Sequence, residues 1–218
     1  MSVESPPQES SGADFPSQGA RRGADGRFRC PWALGAADLM RYHDLEWGVV
    51  VRDDRGLFER VGLEAFQAGL SWLTVLRKRA ALREVFCGFD MARVAAFTER
   101  DVQRLLADAR IIRSRAKIEA VISNARAALA LPEGLAEFVW RYAPESPPPA
   151  PKTAADVPAS TPESAALARA LKQRGFRFVG PTTVYAMMQA VGMVDDHLVD
   201  CHCRGSGTAR GYPAESPA

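Results

Sequence analysis

The chain has 218 residues, 47% of them hydrophobic, enough for one sizeable domain or two small ones with a buried core. A formal charge of +2 names no partner, no apolar run approaches the roughly 18–20 residues of a membrane span, and the polar, Pro/Ser-rich start lacks the apolar stretch of a secretory signal. Four cysteines are too few for a disulfide scaffold, which leaves metal ligation or buried thiols in a soluble, cytoplasmic protein.

In chain order, residues 1–27 are rich in Pro, Ser, Gly and charge, and composition predicts a disordered tail. RCPW (29–32) and YHDLEWG (42–48) follow. They supply Cys30 and His43, two metal-ligand types, among the aromatics Trp32, Tyr42 and Trp47. Core packing would explain those aromatics as well as a binding pocket would.

GLFERVGLEAFQAGLSWLTVLRKR (56–79) carries apolar residues on all faces, the pattern of a helix buried in the middle of a domain. Glu64 shares its inward stripe with Leu57, Val61, Ala68, Ser71 and Val75, and Trp72, eight residues on, projects to the same side. A carboxylate on such a face costs desolvation energy unless donors or an opposite charge meet it. Two readings stand: a buried ion pair with an arginine, or an acid and an indole lining a pocket for a cationic, planar ligand.

FDMARVAAFTERDVQRLLADA (89–109) fits two short helices, with Thr98 as N-cap and acids in the following turn. Residues 115–130 set Ile118, Val121, Ile122, Ala125 and Leu129 along one helical stripe. The basic blocks at 77–83, 110–117 and 169–177 are either solvated faces or parts of a phosphate-facing surface. Residues 143–162 hold seven of the fifteen prolines and, Val157 apart, no large apolar side chain, so they read as a long surface loop. Residues 164–192 read as helix, glycine turn, helix. Within GFRFVGPTTVYA (175–186), Gly180 admits a close partner backbone and Pro181 suits a first helical turn. The free amides there, with Thr182, form an anion site of the helix-hairpin-helix kind that holds a DNA phosphate. An ordinary turn between packed helices is the alternative.

DDHLVDCHCR (195–204) holds two of the three histidines and two of the four cysteines. His197 and Cys201, four apart, share a helical face, and with Cys30 and His43 they make a Cys2His2 zinc site that clasps the two ends of the fold. Four protein ligands leave no open position, so the zinc is structural. Cys203 and His202 are the rival ligands. A Cys201–Cys203 redox pair would close a strained ring. Residues 205–218 form a second tail. Nothing shows sustained period-two alternation, so the fold class is all-α, with residues 28–204 as one helical domain.

Taken together, RCPW, YHDLEWG, the 57–79 segment, RIIRSRAKI, NARA, RGFRFVGPTTVYAMMQAVGMVDDH and the H-x3-C that closes it resemble 3-methyladenine DNA glycosylase I, the Tag family, over about 28–130 and 163–203. The resemblance implies a helix-hairpin-helix fold and a structural zinc on Cys30, His43, His197 and Cys201. It implies a pocket in which Glu64, Tyr42, Trp72, Trp32 and Trp47 receive a flipped N3-methyladenine from double-stranded DNA. The expected enzyme is a monomer and monofunctional: water attacks the anomeric carbon and an abasic site remains. The family usually reads V-N-D-H where this chain has Val194-Asp195-Asp196-His197. Asp195 is therefore either a tolerated change or an auxiliary electrostatic or basic group. The rival from another class is a non-catalytic DNA-binding protein that keeps hairpin and zinc, a reading that leaves Glu64 and the aromatics unexplained.

Overall fold

A computed structural model describes residues 19–206. It opens on a short hairpin, in which β1 (Arg21–Arg22) pairs antiparallel with β2 (Phe28–Arg29). The Arg29 guanidinium is buried and receives Asp25 and Asp44 as bidentate partners at 2.6–3.0 Å. Asp25 thus closes the hairpin on itself, and Asp44 ties it to the helix that follows. Residues 19–27 belong to the fold, where composition predicted a tail; the remainder of both expected tails, 1–18 and 207–218, lies outside the described residues.

Among the described residues all other regular structure is helical: α1 (Ala37–Leu45), α2 (Asp54–Gln67), α3 (Trp72–Val85), α4 (Met91–Ala95), α5 (Glu99–Ala107), α6 (Arg115–Leu129), α7 (Leu135–Trp140), α8 (Pro162–Gln173) and α9 (Pro181–Ala190), with short 3-10 turns between. The all-α expectation holds. The two short helices α4 and α5 start on Asp90 and on a Thr98–Asp101 capping box, as the acids after Thr98 predict.

Helix α2 is the axis of the molecule. Leu57 through Phe66 are buried without interruption, and α2 packs against α3, α6, α7 and α9. The single long helix predicted over 56–79 is in fact two. Gly69 adopts φ +75°, a left-handed conformation that ends α2, and Ser71 restarts the chain by accepting from the Thr74 amide. Lys117 of α6 seals the break, donating to the carbonyls of Phe66 at 2.8 Å and Ala68 at 2.6 Å. Ala68 consequently faces solvent and leaves the inward stripe assigned to it, whereas Ser71, also exposed, borders the cavity described below. On α6, Ile118, Val121, Ile122 and Ala125 are buried as predicted, whereas Leu129 in the last turn is exposed.

The proline-rich segment 143–162 carries one helical turn, Ala154–Asp156, closed by a Thr153–Asp156 capping box. Val157, its one large apolar residue, packs against the core, so the segment seals one side of the fold.

Candidate active site and metal centre

Where α1, α2, α3 and the end of α9 converge lies a cavity of about 440 Å³. Glu64 reaches it from α2, Trp72 from the first turn of α3, Tyr42 from α1, and Trp32 and Trp47 from the segments flanking α1. The five pocket residues expected from sequence are therefore together. Ring centroids are 5.1 Å apart for Tyr42 and Trp72, 5.1 Å for Trp32 and Trp47, and 6.4 Å for Trp32 and Tyr42, which makes an aromatic wall of mutually tilted rings.

Glu64 is 5% exposed. Burial pushes its pKa up to about 8, against a smaller opposing pull from the Arg60 guanidinium. Arg60 is engaged elsewhere, with Glu59 at 3.4 Å and Glu46 at 3.7 Å, and Arg79 clasps Glu46 from the other side. The Arg60 charge thus bears on Glu64 without outweighing its burial. A carboxyl group held neutral in an aromatic cavity is poised to take on charge when a cation enters. Burial likewise raises the pKa of Tyr42, keeping its phenol protonated.

Behind the aromatic wall lies a cluster of metal-ligand types. His43, His197, Cys201 and Cys203 offer donor atoms all within 4.8 Å of one another. Cys30 borders the same cluster, its sulfur accepting from the Leu198 amide at 3.5 Å. Each histidine has a carboxylate on Nδ1: Asp44 on His43 and Asp195 on His197, both at 2.8 Å. Such partners fix the proton on Nδ1 and leave the lone pair on Nε2. The Nε2 of His43 faces Cys201 Sγ at 3.4 Å, and that of His197 is buried with no hydrogen-bond partner among the described residues. A buried lone pair without a donor is costly in a protein and is what a metal ligand requires. Cys201 is held toward thiolate by hydrogen bonds from Cys203 and Cys30. The hydrogen bond to Cys201, and after it burial, push the Cys30 thiol up. The donor set fits a zinc ion.

Cys203 belongs to the closest cluster and Cys30 borders it, the reverse of the expected order. Cys203 Sγ lies 3.8 Å from His43 Nδ1 and 3.9 Å from Asp44 Oδ1, at the ring edge that Asp44 already occupies. Cys30 contacts Cys201. His202 is turned to the hairpin, 2.9 Å from the Phe28 carbonyl.

Backbone geometry supports this packing at one glycine. Gly48, the last residue of YHDLEWG, has φ +79°, and a Cβ there would stand 2.7 Å from the His197 ring. Trp47 meets the same ring with centroids 4.5 Å apart. The metal cluster and the cavity thus share Trp47 as a common wall.

The glycine turn lies at the start of α9, with Gly180 as N-cap and Pro181 in the first turn. Gly180 has φ −72°, and a Cβ on it would meet nothing within 4 Å. Thr182 is exposed beside it.

Residues 32–204 match the model of the methyladenine glycosylase family. The chain belongs to that family. It is 47% identical over 193 residues to DNA-3-methyladenine glycosylase 1 of Escherichia coli (strain K12), an alignment covering 87% of this chain and 99% of the relative. A crystal structure of 3-methyladenine DNA glycosylase I superposes with a TM-score of 0.78 at 49% identity, over 81% of this chain and 99% of the other. A Tyr-to-Phe variant of such an enzyme, in complex with 3-methyladenine, superposes with a TM-score of 0.77 at 33% identity, over 81% and 97%.

In this methyladenine glycosylase, the geometry at Asp195 favours the tolerated change over the auxiliary role. Asp195 is not among the residues lining the cavity: its carboxylate is taken by His197 Nδ1 and by the Gly205 amide at 2.8 Å. Its neighbour Asp196 lines the cavity instead, together with Gln189 and Leu198. A signal for this existed. Tyr185 and Gln189 stand four apart on α9, two donors on one helical face, and their shared acceptor is Asp196.

Proposed function

We propose that this chain excises N3-methyladenine from alkylated double-stranded DNA by hydrolysing the N-glycosidic bond, leaving an abasic site. The observation that carries this reading is a buried carboxyl group, Glu64, facing a cavity walled by Trp32, Tyr42, Trp47 and Trp72. N3-methyladenine is a flat cation while it is attached to the sugar. A flipped base would stack on indole and phenol faces, and Glu64 would meet its charge and amino edge with charge-assisted hydrogen bonds. An unmethylated adenine brings no charge to offset ionisation of Glu64, so the site discriminates by electrostatics as well as by shape. The positive charge on the base also weakens the bond to be broken, and protein groups need only hold the base and admit water.

In this reading the turn at Gly180 and Thr182 is the hairpin of a helix-hairpin-helix element and holds backbone phosphate through the free amides of α9. Cys30, His43, His197 and Cys201 would hold zinc, which supplies a cross-link between the chain's ends. Asp44 and Asp195 orient the two imidazoles, and Cys203 donates to the Cys201 sulfur.

A glycosylase assay on methylated duplex DNA tests the proposal. At saturating enzyme, free 3-methyladenine and an abasic strand are expected as products. Tight DNA binding with no base released would instead support the non-catalytic DNA-binding reading.

A further inference from the structure

The β1–β2 hairpin lies outside residues 32–204, the span that matches the family model, and contributes no residue to the base cavity. It is strongly basic: residues 19–29 hold four arginines and one aspartate. Asp25 is taken up by the internal clamp on Arg29, and Arg21, Arg22 and Arg27 are exposed. Arg22 Nε donates to the Gly26 carbonyl at 3.2 Å, within the hairpin itself. Arg21 forms no ion pair among the described residues.

Strands of two residues do not hold themselves together in water, so the hairpin is fixed from outside. The buried Arg29 guanidinium binds it to α1 through Asp44, and the His202 amide donates to the Phe28 carbonyl at 2.9 Å. Beside this rigid mount lies a groove of about 510 Å³, lined by Arg21, Pro31, Trp32, Leu34, Gly35 and Ala154. Arg21 is its one charged lining residue among those described. Pro31, Trp32 and Ala154 also line the base cavity, so a thin partition separates the two spaces. Apolar walls and an indole, with a cation among them, suit a nucleotide: sugar and base lie on the apolar surface while phosphate meets guanidinium.

We propose that the hairpin is a further DNA contact: the groove seats the nucleotide next to the flipped one, and Arg21 binds its backbone phosphate. The inference rests on the glycosylase reading of the neighbouring cavity. A base in the cavity and an occupant of the groove are separated by Trp32, the reach of consecutive nucleotides in one strand. Successive residues of a strand point to opposite faces, so Arg21 serves the groove and Arg22 does not. Extruding a base costs a few kcal/mol of stacking and pairing, which contacts to the flanking backbone offset. The turn at Gly180 would hold that backbone through helix amides, and the hairpin through side-chain charge.

The test uses the full-length, metal-replete protein and a duplex carrying a tetrahydrofuran abasic analogue, which cannot be turned over. Affinity is read by fluorescence anisotropy across a salt series. R21A should weaken binding about three- to tenfold at low salt and lower the slope of log affinity against log salt by about 1, the worth of one phosphate contact. R21K should keep the slope and lose part of the affinity, because a point charge replaces a planar fork. R22A, the same charge change on the opposite face of β1, should shift both quantities far less. Affinity for free 3-methyladenine, by tryptophan fluorescence, should stay at the wild-type value in all three variants. R21A with wild-type affinity and slope would overturn the proposal. So would an R22A that matches R21A, which would make the hairpin a diffuse charge and not a nucleotide seat. A change of sedimentation in R21A without a change in DNA affinity would give the groove to a second copy of the chain and overturn it too. Base release from methylated duplex is scored separately: its absence in wild type overturns the glycosylase reading, and the salt slope still decides the hairpin.

Discussion

Glu64 ties energetics to chemistry at a single residue. Its folded pKa of about 8 lies above the ordinary 4.5, so the folded protein keeps a proton that the unfolded chain gives up. The stability from this neutral carboxyl group is complete below about pH 4.5 and is lost as pH rises toward 8. E64Q stays neutral throughout, so its melting temperature should decline less than that of wild type between pH 5 and 8, by thermal denaturation in parallel buffers. If the two curves run parallel, the carboxyl group is not desolvated in solution. Single-turnover release should fall in E64Q and further in E64A, by about one to two orders of magnitude. That is the worth of a charge-assisted hydrogen-bond set of roughly 1.5–3 kcal/mol. Undiminished release from E64A would remove Glu64 from the site. Glu64 was legible in the sequence because a carboxylate on a helix with no polar face is anomalous wherever it occurs. Asp196 was only half legible: the Tyr185–Gln189 spacing asks for an acceptor, but after α9 the chain leaves regular structure and no period says which of two adjacent aspartates turns inward.

Two elements carry the site, and each was read differently from sequence. The break between α2 and α3 was missed because both halves are apolar and their helical periods run on through Ala68–Ser71. The lysine that caps the break comes from α6, far away in sequence. K117M keeps the stem of that side chain and removes two charge-assisted bonds from Phe66 and Ala68. It should cost about 1.5–3 kcal/mol, measured by urea denaturation, and weaken 3-methyladenine binding by misorienting Trp72 relative to Glu64. A variant as stable as wild type would mean that Gly69 and Ser71 set the break unaided. The turn before α9 was legible, because glycine, proline and threonine are local signals. Since Gly180 has an unstrained φ and open space where a Cβ would go, its glycine is not required by the fold. The proposed phosphate contact would give it a role. G180V should fold normally yet bind damaged and undamaged duplex about tenfold more weakly, equivalent to ~1.4 kcal/mol for each. Unchanged affinity for nonspecific duplex would exclude this turn as the anchor.

At the scale of the whole molecule, the metal cluster joins a hairpin near residue 30 to a segment near residue 200 and backs the aromatic wall. Cys30 and Leu198 line the cavity as well as flanking the cluster, and Trp47 touches both His43 and His197. Loss of metal should therefore reach the base pocket without touching a pocket residue directly. The histidine edges further predict which thiol matters. His43 Nδ1 is held by Asp44 and Nε2 faces Cys201, so in the proposed ligand set Cys30 rather than Cys203 completes the site. C30S and C201S should each lose stoichiometric zinc by elemental analysis, and C203S should retain it. Structural zinc contributes directly to folding free energy, and a domain of this size loses about 2–4 °C in Tm per kcal/mol. The first two variants should accordingly melt well below wild type, and chelation of wild type should reproduce both that drop and weakened 3-methyladenine binding. C203S that loses zinc while C30S keeps it would assign the site to the four donors that lie closest together, and would require His43 to turn its ring away from Asp44.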